Sequence, residues 1–242
     1  MNDLRPQDFA RISKGFSVGI NAWVSHPFVP NAYSFEADGI DEPPSPEIKR
    51  MTEALGEKLE MKPDLTLFLL RPKRPELRKR MVSVPSKAKS NAFMYGRYNV
   101  TSRQLRNLAG DLDGIFSKYK GSQGGLPTVV DNGSSVTRML SLCTLLGFKE
   151  IVLVGVDLNG SPYFWADHGA TKKGLEVWCD YPRPHQPQHE TLDTSRRPFS
   201  NLDFIVTLSR TLQSQFGVQV FAGSNKSALS RSLPVFSWDQ PA

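Results

Sequence analysis

The sequence predicts an α/β protein: a Rossmann-like, mainly parallel sheet with helices on both faces and a lid segment. Two observations carry the prediction. Short apolar runs alternate with helical patterns along the chain, which is the mark of βα units. One of those runs, 151–156, is apolar throughout and β-branched at four of six positions, as suits a strand buried on both faces of a parallel sheet.

Taken in order, the expected strands are GFSVGIN at 15–21, AYSFEAD at 32–38, LTLFLL at 65–70, PTVVDN at 127–132, the run at 151–156 and VQVFAG at 218–223. Residues 39–49, GIDEPPSPEIK, read as a mobile connection. Between the fourth and fifth strands, Val136, Met139, Leu140, Cys143 and Leu146 fall on one helical face, and Gly147 closes that helix. The pattern repeats over 201–216, with Gly217 after the last turn. Residues 166–200 follow neither period and hold three of the four histidines. A segment of that length inside a compact domain is expected to act as a lid or binding loop.

A chain of 242 residues is long enough for one sizeable core, so the expectation is a single domain over 1–242 with its lid at about 166–200. No stretch approaches the roughly 20 apolar residues that span a bilayer. The first residues lack the apolar centre of a signal peptide. The chain therefore reads as cytoplasmic, and the two cysteines, Cys143 and Cys179, sit at no disulfide-framework or metal-ligand spacing. The formal net charge is +6, and residues 71–89 concentrate eight Lys or Arg against one Glu. Such a cluster is either an electrostatic contact surface, for instance for the anionic face of the inner membrane, or a solvated proline-bearing loop. Few aromatics interrupt it, unlike single-stranded nucleic-acid binders.

Phosphate-loop and dinucleotide fingerprints are absent, as is HExxH, and His26, His168, His185 and His189 are too scattered for a metal site. The carboxyl edge of the sheet is where ligands bind in open α/β folds. Asp157 and the following NGSPY loop are candidates there. Read from the residues alone, Asp157 either contacts a ligand or caps the next turn.

Three stretches carry a family resemblance. SSVTRMLSLCTLLGFKEIVLVGVDLNGSPYF resembles the Ser-containing helix, the following strand and the NGS-x-Y loop of the bacterial sialyltransferases of the Campylobacter and Haemophilus lipooligosaccharide type, glycosyltransferase family 42. HQPQH at 185–189 stands where that family has two histidines four apart, the second being the catalytic base. FGVQVFAGSNKSALSRSLPVF is similar to the family's last strand and the segment after it. A weaker match, DFARISKGFSVGINAW, looks like its second strand, which ends in a nucleotide-contacting Asn, here Asn21. A second such Asn has no clear counterpart, with Asp38 near its position. The family's Arg before the Ser-containing helix is replaced around Asn132, and the Tyr beside the first histidine is Gln186. The family also opens with a strand and a Gly-x-Gly-Pro-Ser turn, and this chain starts after that point: either the start is truncated or the phosphate cradle is incomplete. The pattern around 134–157 also resembles the wider domain of unknown function in flagellin-modifying Maf proteins and in an archaeal pterin pyrophosphokinase.

What the resemblance implies is transfer of a sugar, sialic acid in the family, from a CMP-activated donor to a glycan hydroxyl, with inversion and without a metal or other cofactor. The implied roles are His189 as general base and Tyr163 as donor to the leaving phosphate, with Asn21, Asp38, Ser135 and Asp157 binding the donor. Histidine suits the base role because its ordinary pKa of about 6.5 leaves it mostly neutral at cytoplasmic pH. Without the resemblance His189 reads as a surface loop residue and Tyr163 as packing. Ser135 reads as either a helix N-cap or an anion contact. The partners expected are the CMP-sugar, a glycan or lipid-linked glycan acceptor, an anionic membrane surface and a second copy of the chain. Two alternatives stay open: a transferase using another nucleotide or a pyrophosphate donor, and a non-catalytic binding domain.

Overall fold

The computed structural model describes residues 4–35, 46–71, 91–121, 128–159, 194 and 198–239. Five strands, β1 Val18–Ile20, β2 Ala32–Phe35, β3 Thr66–Leu70, β4 Ala92–Asn99 and β5 Thr128–Asp131, form one sheet in that order. A second, parallel pair joins β6 Glu150–Leu153 to β7 Gln219–Ala222. The helices are α1 Pro6–Ile12, α2 Pro46–Met61, α3 Leu105–Gly121, α4 Ser135–Leu145 and α5 Asn201–Phe216. A parallel sheet flanked by helices is the Rossmann-like α/β class expected.

The chain divides into two compact units, and the division falls between Gly96 and Arg97, inside β4. In the N-terminal unit, Leu4–Gly96, strands β1 to β4 are parallel, with Gly19 opposite Tyr33 and Tyr33 opposite Leu67. Strand β3 reads TLFLL because Leu67 and Leu69 enter a core with Leu55 and Leu59 of α2, while Phe68 and Leu70 are buried on the other side. Gly19 is glycine for a packing reason. A Cβ there would lie 2.2 Å from the Tyr33 ring, so the aromatic ring lies across the strand.

In the C-terminal unit, which holds residues 97–159 and 198–239, Leu108, Leu112 and Phe116 of α3, Leu140 of α4 and Phe204, Leu208 and Leu212 of α5 share one core with β5 and β7. Helix α4 stops as expected at Gly147, whose φ of 92° suits a residue without a side chain. There Gly147 N–H donates to Thr144 O and Phe148 N–H to Cys143 O. Helix α5 stops at Gly217 in the left-handed region, with Val218 N–H returning to Leu212 O.

Four expectations need correction. Residues 8–12 of the DFARISKGFSVGINAW stretch belong to helix α1, started by Pro6 and a capping box in which Asp8 takes the Arg5 N–H, and only 18–20 of it are strand. The connection expected over 39–49 gives way to α2 from Pro46, a proline suited to a first helical turn. Leu146, expected on the buried face of its helix, is 51% exposed because α4 has ended before it. The strand expected over 151–156 ends at Leu153, since Gly155 has a φ of 69° and leaves the extended region. The unexpected strand, β4, pairs with β3 from Ala92 opposite Leu67 to Tyr95 opposite Leu70.

Candidate active site

The best-defined polar centre of the C-terminal unit is the corner where β5 turns into α4. Thr128–Asp131 is a buried strand, and its last residue faces a turn, Asn132-Gly133, that needs a left-handed glycine with φ 84°. Asp131 Oδ1 accepts the Gly133 N–H at 2.7 Å. The same oxygen accepts from Arg138 Nη1 at 2.8 Å, and Oδ2 lies 3.5 Å from Arg97 Nη1. Both partners of the Asp131–Arg138 pair are nearly sealed from water, with side chains 2% and 3% exposed. Burial pushes the Arg138 guanidinium down to about 10, which leaves it charged at neutral pH.

Ser134, not Ser135, holds the N-cap position, and Ser135 is the first helical residue. Ser135 Oγ accepts from Arg138 Nη2 at 3.0 Å. Residues three apart share a helix face, so this bond follows from the spacing. The corner thus brings the Arg97 and Arg138 guanidiniums to the Asp131 carboxylate beneath the start of an α-helix, where N–H groups and the helix dipole add positive potential. The arrangement favours an anion over a cation.

A second network fixes the corner to α5. Asn132 Nδ2 donates to Asn201 Oδ1 at 2.9 Å, and Asn132 Oδ1 accepts from Thr137 Oγ1 at 2.9 Å. Thr137 and Asn201 are buried. Asn201 opens α5, whose N-cap Ser200 bonds Asp203 in a reciprocal capping box. Both helices are therefore tied at their first turns through one carboxamide. Asn132 is a strut here.

Asp157 lies four residues past the end of β6, in an irregular segment held by the chain after β7. Ser227 Oγ donates to Val156 O at 2.6 Å, Ala228 N–H to Asp157 O at 2.8 Å, and Asn159 Nδ2 to Lys226 O at 2.6 Å. Between them Leu158 adopts a φ of 54° and is buried. That is a strained conformation for a branched side chain, sustained by the bonds on either side. Gly223 closes the other end: its N–H donates to Leu153 O, and a Cβ there would sit 2.7 Å from that oxygen.

Asn21 belongs to the N-terminal unit, directly after β1, and is exposed with a φ of 52°. Among the described residues, it and Leu158 are the two non-glycine residues in the left-handed region. His26 is a packing residue. Its ring stacks on Trp23 at 3.9 Å and on Phe9 at 5.3 Å, and Nδ1 accepts the Phe28 N–H. Asp38, Tyr163 and His189 lie outside the described residues, as does the expected lid up to residue 193. The residues that the sequence reading missed are Asp131, Arg138, Arg97, Asn201 and Ser227. Two local signals stood for them: DNG before a helix, and SNLD as a capping box at 200–203.

Fold and site together define an α/β protein with a cationic corner at a helix start. No protein-family model matches the chain, and no curated protein matches it. Among solved structures, it is similar to a point variant of the sialyltransferase CST-II in complex with CMP, at 12% identity over 91% of this chain and 76% of that one, with a TM-score of 0.49. It is similar also to CST-II in complex with a trisaccharide acceptor and CMP, at 11% identity over 91% and 76%, with a TM-score of 0.45. CstII from Campylobacter jejuni, in complex with a substrate analogue, cytidine-5'-monophosphate, gives 12% identity over 96% and 79% and a TM-score of 0.45. Among the described residues, no helix is long and apolar enough to cross a membrane.

Proposed function

We propose that this protein is a sialyltransferase-like glycosyltransferase that moves a sugar, sialic acid, from a CMP-activated donor to a glycan hydroxyl with inversion. One observation carries the reading. Two of the three stretches that bear the sequence resemblance are bonded to each other although about 70 residues apart: Asn159 to Lys226 O, Ser227 to Val156 O and Ala228 N–H to Asp157 O. Segments that match one family separately and also brace one loop together support that family's use of the loop.

In this reading Ser135 and the first N–H groups of α4 receive an anionic group of the donor. Asp157 shapes the loop after β6, its main-chain carbonyl anchored by the Ala228 N–H. Asn21 and Asp38 contact the nucleotide. His189 takes the proton from the acceptor hydroxyl as its oxygen bonds to the anomeric carbon; the bond from that carbon to the phosphate oxygen breaks, and its electron pair leaves with CMP. Tyr163 donates a hydrogen bond to that departing phosphate.

Calorimetric titration with CMP and a donor-hydrolysis assay test the proposal. His189→Ala is expected to lower kcat by roughly 10²- to 10⁴-fold, with CMP affinity nearly unchanged. Absence of CMP binding at millimolar levels would refute the function. Full turnover in His189→Ala would return that residue to a structural loop role. A nucleotide panel read by thermal shift separates CMP from any other nucleotide, since a ligand of the native state raises its stability.

A further inference from the structure

We infer that Arg138 is a positioning residue for the proposed transfer, acting through Ser135. The inference rests on the functional reading above and names a residue to which the sequence resemblance gave no role. The geometry is that of a fork held at its base. Nη1 is fixed on Asp131 Oδ1 at 2.8 Å, and Nη2 reaches Ser135 Oγ at 3.0 Å. Asp131 is itself held by the Gly133 N–H and faces Arg97, so the guanidinium plane has little freedom. A hydroxyl that accepts a hydrogen bond from a cation must point its own O–H elsewhere. Arg138 therefore selects the rotamer and the proton direction of Ser135 at the helix start where the donor's anionic group is received. Only a planar two-nitrogen head spans both partners. A lysine ammonium is a single point and forfeits one of them.

The test is a double-mutant cycle on hydrolysis of CMP-sialic acid, with KM and kcat measured separately for wild type, Ser135→Ala, Arg138→Lys and the pair. Each single change is expected to raise the donor KM by roughly 10- to 100-fold, the scale of one hydrogen bond to a charged group. The pair is expected to be no worse than Ser135→Ala alone, because Arg138 acts only through that hydroxyl. A purely structural arginine would give losses that multiply. If Arg138→Lys does not fold, Asp131→Asn with Arg138→Gln replaces it, since neither member of the pair is then left as a buried charge without the other. That pair is expected to show the same loss. Wild-type KM in either replacement, or multiplying losses in the cycle, would overturn the assignment while CMP binding by wild type kept the function intact. A wild type that neither binds CMP nor hydrolyses the donor would remove both.

Discussion

Replacing Arg138 by methionine is expected to lower the free energy of unfolding by about 3 kcal/mol, and replacing Asp131 by alanine by about 5 kcal/mol. The difference lies in what each change leaves behind. At 2.8 Å the two charges attract by about 6 kcal/mol for an effective dielectric of 20. That attraction sets itself against the cost of taking two ions out of water. Arg138→Met leaves the Asp131 carboxylate with the Gly133 N–H and with Arg97 at 3.5 Å, so the loss falls near the low end of the range for breaking a buried pair. Asp131→Ala removes the carboxylate that Arg138 bonds and Arg97 approaches, and leaves the buried Arg138 guanidinium without that partner. Removing both together, as Asp131→Leu with Arg138→Met, is expected to recover most of the loss. Urea unfolding followed by circular dichroism measures all three, provided the slope with denaturant stays constant. If each single change cost under about 1 kcal/mol, as exposed pairs do, the buried, braced character of the pair would be wrong.

Three further outcomes follow from other parts of the chain. Gly223→Ala would place a Cβ 2.7 Å from Leu153 O and 3.2 Å from Val154 Cα, both main chain; a loss of about 1–3 kcal/mol is expected, and an unchanged melting temperature would contradict it. Burial pushes the Cys143 thiol up to about 12, so at pH 8 iodoacetamide should alkylate it only in denaturant, with native-state labelling in peptide maps as the contrary result. Hydrogen bonds from Arg5 hold the Asp8 carboxyl below its ordinary 3.8. Its ionised form therefore stabilises the fold above that value, and the contribution is lost as pH falls through the lowered pKa. Melting temperatures of Asp8→Asn should lie below wild type at pH 7 and converge with it in acid; a gap constant down to pH 3 would refute the linkage.

The class of fold was legible because it depends on local pattern. The runs at 65–70, 127–132 and 218–223 are apolar wherever a parallel strand must be buried, and β3, β5 and β7 lie within them. Gly147 and Gly217 marked two helix ends because a left-handed residue there favours glycine whatever packs around it. Tertiary structure decided the rest. Strand β4 is AFMYGRYN, with Phe93 61% exposed and Tyr95 buried, and such a mixed run becomes a strand through pairing with Leu67–Leu70. Arg138 offered no sign of burial, since arginine on a helix is ordinarily solvated. It is buried because Asp131 ends the preceding strand beneath it, and that meeting of charges exists only after β5 and α4 have packed. Asp157 differs in the same way. The sequence placed it at the mouth of a strand, whereas a main-chain bond from Ala228, 71 residues further along, fixes its loop, a contact that no local pattern records.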